Sequence, residues 1–250
     1  MKLDIKTLLA SVVAAGVVAG AVSGLMTKQA PVPAKPTSEA DFKAMLMDNP
    51  QTILDSLNAY RSEIEKKDQA PVSDELRQQI EDTSYGQAVA IAGPADAEIV
   101  LVKFNDPNCS FCRRSIPEVK KVIEAFPEVK VVVRPFPILG PNSVATTHVG
   151  AAIADLGAYE DFYSELGNLN GPIGQDKAMR LAKEIGVDMD ALRTELAEGD
   201  IANRVNANLE LGQRANVQGT PTFFLNGKPI RGAMPFAGMK QEIEAIQAQD

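Results

Sequence analysis

Cysteine is scarce in this chain: two among 250 residues, with a single histidine beside them. That scarcity excludes a self-contained structural zinc site, because tetrahedral zinc takes four ligands and Cys109, Cys112 and His148 make three. Basic charge is also short. Lys and Arg number 25 against 33 Asp and Glu, a formal net charge of −8, and no basic patch stands out that would draw in nucleic acid. The acidic balance is that of a soluble, non-sticking surface. Internal repeats are missing, and low complexity is confined to an Ala/Gly-rich N-terminus and a short Pro-rich spacer. With 45% hydrophobic residues the chain can bury a proper core, so its fold needs neither staples nor metal.

What the chain does have is both cysteines three positions apart, in Asn108-Cys109-Ser110-Phe111-Cys112-Arg113-Arg114. The turn formers Asp106-Pro107-Asn108 precede them and a long periodic run follows, so Cys109 is expected to open a helix with both sulfurs on one face of its first turn. A helix start offers unpaired N–H groups and positive potential, which favour a thiolate at Cys109. Three readings of the pair stand. A structural disulfide would enclose two residues and stabilise little. A zinc site would have to be shared between subunits. A redox dithiol, exposed and poised to exchange, needs only what is present, and a strand before and a helix after it favour this reading.

Taken in order, the chain begins with 21 uncharged residues between Lys6 and Lys28, rich in Leu, Val, Ala and Gly and preceded by Lys2 and Lys6. This is the layout of an export signal, so residues 1–27 are expected to be a signal peptide or a membrane anchor. Ala19-Gly20-Ala21 suits cleavage. A length of about 20 residues suits a span, and Gly16, Gly20 and Gly24 have helix-packing spacing. Residues 28–36, with Pro31, Pro33 and Pro36, read as an extended spacer. Residues 37–84 read as a helical oligomerisation or substrate-facing arm: Ser38 as N-cap, a restart at Asn49-Pro50, an apolar stripe through Ile53, Leu54, Leu57 and Ile64, and a polar helix near 73–82.

From residue 85 the pattern changes. An edge strand is expected within 87–92, a doubly buried strand over 98–104, a helix after Cys112 kinked by Pro117, and a β-branched strand over 129–133, together a βαβ unit. Residues 143–215 read as a helical insertion with Ser143 as its first cap. A hairpin turning on Asn226-Gly227 and a closing helix over 235–248 complete the order βαβ, helical block, ββα. The expected fold class is α/β: a thioredoxin-like fold with an inserted helical subdomain, preceded by the helical arm.

Over residues 87–250 the chain resembles the DsbA-like family of exported thiol-disulfide oxidoreductases. The likeness rests on Phe104-x-Asp106-x-x-Cys109-x-x-Cys112, on Pro117 and on Gly219-Thr220-Pro221-Thr222-Phe223-Phe224. The arm is similar to the N-terminal segment of the larger oligomeric members. The resemblance implies that Cys109 and Cys112 form a redox-active disulfide, with Cys109 exchanging and Cys112 resolving. It implies that Thr220-Pro221 is a cis peptide that binds extended substrate beside them. It also implies a periplasmic oxidase or isomerase without diffusible cofactor, whose partners are exported proteins with cysteines and a membrane protein that resets the dithiol. An envelope holdase, or a metal carrier using the two thiolates, is the alternative. The family often places a glutamate where this chain has Lys103. A lysine there either favours the thiolate or snorkels harmlessly to solvent. Asp106 and Asn108 read as turn formers and His148 as a helix residue without chemistry.

Overall fold

The computed structural model describes residues 38–68 and 70–248; the expected signal or anchor and the Pro-rich spacer lie outside them. The described residues fall into two units that divide between Ser56 and Leu57. In the first, α1 (Glu39–Asp48) starts at Ser38, whose hydroxyl oxygen accepts the Asp41 N–H at 3.1 Å. Pro50 opens α2 (Pro50–Asp68), which begins in the first unit and continues into the second, at a position where proline's missing N–H costs nothing. No residue of α1 is buried.

The second unit is built on a five-stranded sheet of order β1-β3-β2-β4-β5: β1 (Val89–Ala92), β2 (Val100–Asn105), β3 (Lys130–Pro135), β4 (Thr222–Leu225) and β5 (Lys228–Arg231). β2 and β3 run parallel, as the βαβ pattern requires, and the other pairings are antiparallel. The hairpin from β4 to β5 turns on Asn226 and Gly227, both at positive φ (45° and 78°), as a type I′ turn demands. Gly93, at φ 82°, leads from β1 towards β2 so close to Val129 that a Cβ would meet its carbonyl oxygen at 2.2 Å. Only glycine fits there.

Alternation along β2 sorts its side chains between two cores. Leu101 joins Val131, Val133, Phe223 and Leu225 in the larger core, beneath α5 (Ile116–Ala125), the inserted helices and α11 (Phe236–Gln247). Val100, Val102 and Phe104 face the smaller one with Ile80 and Leu211, and there the Phe104 ring meets Phe136 and Phe224 edge-on at 5.6 and 5.7 Å. Ile80 belongs to α3 (Asp74–Glu81) and is fully buried. The polar helix that its sequence groups with the arm thus packs onto the sheet.

Two local expectations are corrected. The kink at Pro117 is a break: α4 (Ser110–Arg114) ends and α5 begins around Ser115, because proline in the first turn of α5 has no N–H to carry the preceding helix through. Ser143 does not cap its helix. α6 (Pro141–Asp155) starts earlier, with Gly140 as N-cap and proline at its first position, and Ser143 is buried inside it. The insertion continues through α7 (Tyr159–Leu166), α8 (Gln175–Glu184), α9 (Met189–Glu198) and α10 (Ile201–Arg214).

Candidate active site

β2 ends at Asn105 and the chain turns directly into the dithiol. Asp106 shapes this turn. One carboxylate oxygen accepts the Asn108 N–H at 2.8 Å and the Ser143 hydroxyl at 2.7 Å; the other accepts the N–H groups of Ile138 and Leu139 at 2.8 and 3.0 Å. A residue that reads in sequence as a turn former therefore ties the cysteine loop, the segment after β3 and α6 into one piece. Asn108 does the same toward the insertion, accepting the Ile173 N–H at 2.7 Å and donating to its carbonyl at 2.9 Å. Arg113 donates to the Gly171 carbonyl at 2.9 Å. These clamps fix a loop that would otherwise be free to move.

Cys109 is the N-cap of α4, and both cysteines are unbonded thiols. As a thiol Cys109 donates to the Thr220 carbonyl oxygen at 3.1 Å. As a thiolate it is held by the Cys112 thiol, the Cys112 N–H (3.4 Å), the Thr220 side chain and the Phe111 N–H. Those donors outweigh the opposing effect of burial and bring its pKa down to about 5. Cys112 has no exposure at all; burial first, and its bond to the Cys109 sulfur second, push its pKa far up. One sulfur is thus prepared to attack or leave, and the other to keep its proton.

The dithiol is less open than expected. Cys109 is 6% exposed, its sulfur lying against the Thr220 carbonyl of the loop before β4. That loop contains the Thr220–Pro221 peptide bond, which is cis. It lines an open groove of about 280 Å³ with Gln218, Gly219, Thr222, Arg231 and Gly232. The four residues singled out in sequence, Cys109, Cys112, Thr220 and Pro221, meet at one place, although 111 positions separate Cys109 from Thr220. Phe111, Ile138 and Leu139 are exposed at 55%, 42% and 55%, which leaves apolar surface on α4 and on the segment after β3.

A family model described as thioredoxin matches residues 83–245. The chain belongs to the thioredoxin family. Among curated members and relatives, it is 27% identical over 165 residues to a probable disulfide bond formation protein D of Bacillus cereus, covering 61% of this chain and 76% of that protein. It is 26% identical over 160 residues to the Na(+)/H(+) antiporter NhaA 1 of Salinispora arenicola, covering 63% of this chain and 24% of the antiporter. The chain therefore spans about a quarter of the length of its antiporter relatives. Among the described residues no helix is long and apolar enough to cross a membrane.

Solved structures bear out the thioredoxin-like fold. A thioredoxin-like oxidoreductase from Silicibacter pomeroyi superposes with a TM-score of 0.63 at 24% identity, over 69% of this chain and 98% of that one. Proteus mirabilis ScsC in a transitional conformation gives 0.62 at 21% identity, over 84% and 95%.

Within this thioredoxin fold, Lys103 takes a place the sequence did not reveal. It does not snorkel: the side chain is fully buried, and its ammonium donates to the Cys112 carbonyl at 3.0 Å and to the Tyr163 hydroxyl oxygen at 2.7 Å. Burial lowers its pKa to about 8, against the raising effect of the two cysteines. The strand alternation, which puts Lys103 on the face of Leu101, was the available signal. His148 is half-buried on α6, and burial alone lowers its pKa. Among the described residues no group of three or more His, Cys, Asp or Glu is arranged to hold a metal.

Proposed function

We propose that the chain is a thiol-disulfide oxidoreductase of the bacterial cell envelope, forming or isomerising disulfides in exported proteins through Cys109 and Cys112. The observation that carries this is the Cys109 sulfur at the start of α4, held by the Cys112 N–H and set against the Thr220 carbonyl of the loop before β4. In the oxidising direction a substrate thiolate attacks Cys109 and Cys112 leaves, giving a mixed disulfide. The substrate's second thiolate then attacks its own sulfur in that bond, expelling Cys109 as the thiolate. Extended substrate lies along the groove at Thr220–Pro221, where proline has no N–H to donate and Thr220 offers backbone groups. A membrane partner resets the dithiol. The disulfide bond formation protein of Bacillus cereus among its relatives supports the reaction class.

The pH profile tests the assignment. Alkylation of reduced protein should stay fast down to about pH 5 and slow about tenfold per unit below it. Stability follows the same ionisation. The folded value lies below that of a free thiol, about 8.5. The thiolate therefore stabilises the reduced form fully above that value and loses this as pH falls through about 5. At pH 7 the contribution is roughly 3 kcal/mol, read as the loss in unfolding free energy of reduced relative to oxidised protein between pH 7 and pH 4. An alkylation midpoint near that of a free thiol would refute the assignment.

The arm is proposed to join copies of this chain. Met47, Leu54, Leu57 and Tyr60 are exposed at 72%, 53%, 48% and 62%, and an apolar stripe at helical spacing on α1 and α2 needs a partner. A second copy offers the same stripe. Removal of residues 37–70 should reduce the solution mass to that of one chain; an unchanged monomer mass before and after would contradict the proposal.

A further inference from the structure

A lysine in the interior ordinarily has a carboxylate facing it. Lys103 has none. Its hydrogen-bond partners are the Cys112 carbonyl and Tyr163 of α7, its ammonium lies 4.9 Å from the Tyr163 ring centroid, and Tyr159 stacks on that ring. Its register partners on the flanking strands, Val133 of β3 and Phe223 of β4, carry no charge. Of the acids on α5, Glu118 is bonded to Lys121 and to the Phe236 N–H. Glu124, with Lys120 and the α7 acids Glu160, Asp161 and Glu165, lines an open pocket that Tyr163 borders. The groups that exert charge on Lys103 are Cys112 of α4 and Cys109, its N-cap. Its counter-charge therefore exists only while a thiolate does, and a disulfide carries none.

We propose that Lys103 is a redox-linked proton site: its amine gains a proton when the Cys109–Cys112 disulfide is reduced and releases it when the disulfide re-forms. The inference rests on the oxidoreductase function proposed above. Two substrate thiols provide two electrons and two protons. The electrons cleave the Cys109–Cys112 bond while a substrate disulfide forms, one proton goes to the Cys112 sulfur, the other to the Lys103 amine, and Cys109 is left as a thiolate. Charge balances without any proton crossing to solvent. Lys103 touches the Cys112 carbonyl rather than a reacting sulfur, so it acts through charge. Tyr163 holds the amine in place. The lowered pKa of Lys103, about 8 with both thiols free, agrees with this: burial favours the neutral amine, and loss of the thiolate removes the charge that opposes it.

The test is the equilibrium of the full-length protein with reduced and oxidised glutathione between pH 7 and 8. Two glutathione thiols release two protons. If the protein takes up both, the equilibrium constant changes by less than about twofold across that unit; if it takes up one, the constant rises about tenfold. Wild type should show the flat profile and Lys103→Met the tenfold rise. Lys103→Arg should also rise tenfold, since guanidinium keeps a charge but does not titrate there; a purely structural or fixed-charge role would leave Arg like wild type. Should the variants fail to fold, proton release on reducing wild type in weak buffer decides: near zero per disulfide supports the inference and near one overturns it. A tenfold rise in wild type overturns it while leaving the oxidoreductase function standing. No exchange with glutathione at any pH removes that function and the inference with it.

Discussion

Cys109→Ser should reduce disulfide exchange to the uncatalysed background, while Cys112→Ser should accumulate a stable mixed disulfide with substrate. The difference follows from the opposite environments of the two sulfurs. Cys109 is ionised near pH 5 and keeps 6% exposure where Cys112 has none, and a serine hydroxyl in its place cannot become a nucleophile or leaving group there. Cys112 is sealed and its burial favours the thiol, so substrate reaches Cys109 first and the inner sulfur acts afterwards. Non-reducing gels of each variant incubated with a reduced, cysteine-containing unfolded protein give the readout. Background exchange by Cys112→Ser without a trapped species would reverse the assigned order. Full activity in Cys109→Ser would remove the enzymatic function.

Arg134→Met should be the most destabilising substitution outside the dithiol. The Arg134 guanidinium is fully buried on β3. It donates to the carbonyls of Ile80 (2.6 Å), Gln79 (2.8 Å), Tyr85 (2.8 Å) and Asp82, and to the Asn208 side-chain oxygen (3.0 Å). Three of these carbonyls belong to the end of α3, where helix geometry leaves acceptors without partners. Methionine fills the volume but strands all five oxygens in the interior. A loss of about 3 to 5 kcal/mol is expected, a fall in melting temperature of about 10 °C for a unit this size. Urea unfolding of oxidised protein measures it. Arg134→Lys should recover little, because an ammonium cannot span the fan of acceptors that a planar guanidinium reaches. A loss under about 1 kcal/mol for Arg134→Met would show that α3 is held by the Ile80 contact alone.

The parts of the fold legible in sequence were those set by local chemistry. Ser38 announces its helix because a hydroxyl one step before the first turn has one favourable use. Asn226-Gly227 announces its hairpin because few residues tolerate positive φ twice. The cysteine spacing announced a dithiol for the same reason. What the sequence misjudged were polar residues whose fate depends on what packs against them. Ser143 looked like a cap because it precedes an apolar run, yet it is consumed by Asp106. Asp106 looked local and spans 32 positions to reach Ile138. Arg134 gave no signal within its β-branched strand, since its partners come from α3, the turn after it and α10.

Sequence alone determined the strand and helix order, the family and the placing of two sulfurs on one turn, because each follows from neighbours within a few residues. Tertiary structure decided how those sulfurs differ. The loop before β4 brings Thr220 against Cys109, and the insertion brings Tyr163 over Lys103. Burial and hydrogen bonding, which fix the charge a group carries, are properties of the packed surroundings rather than of the residue.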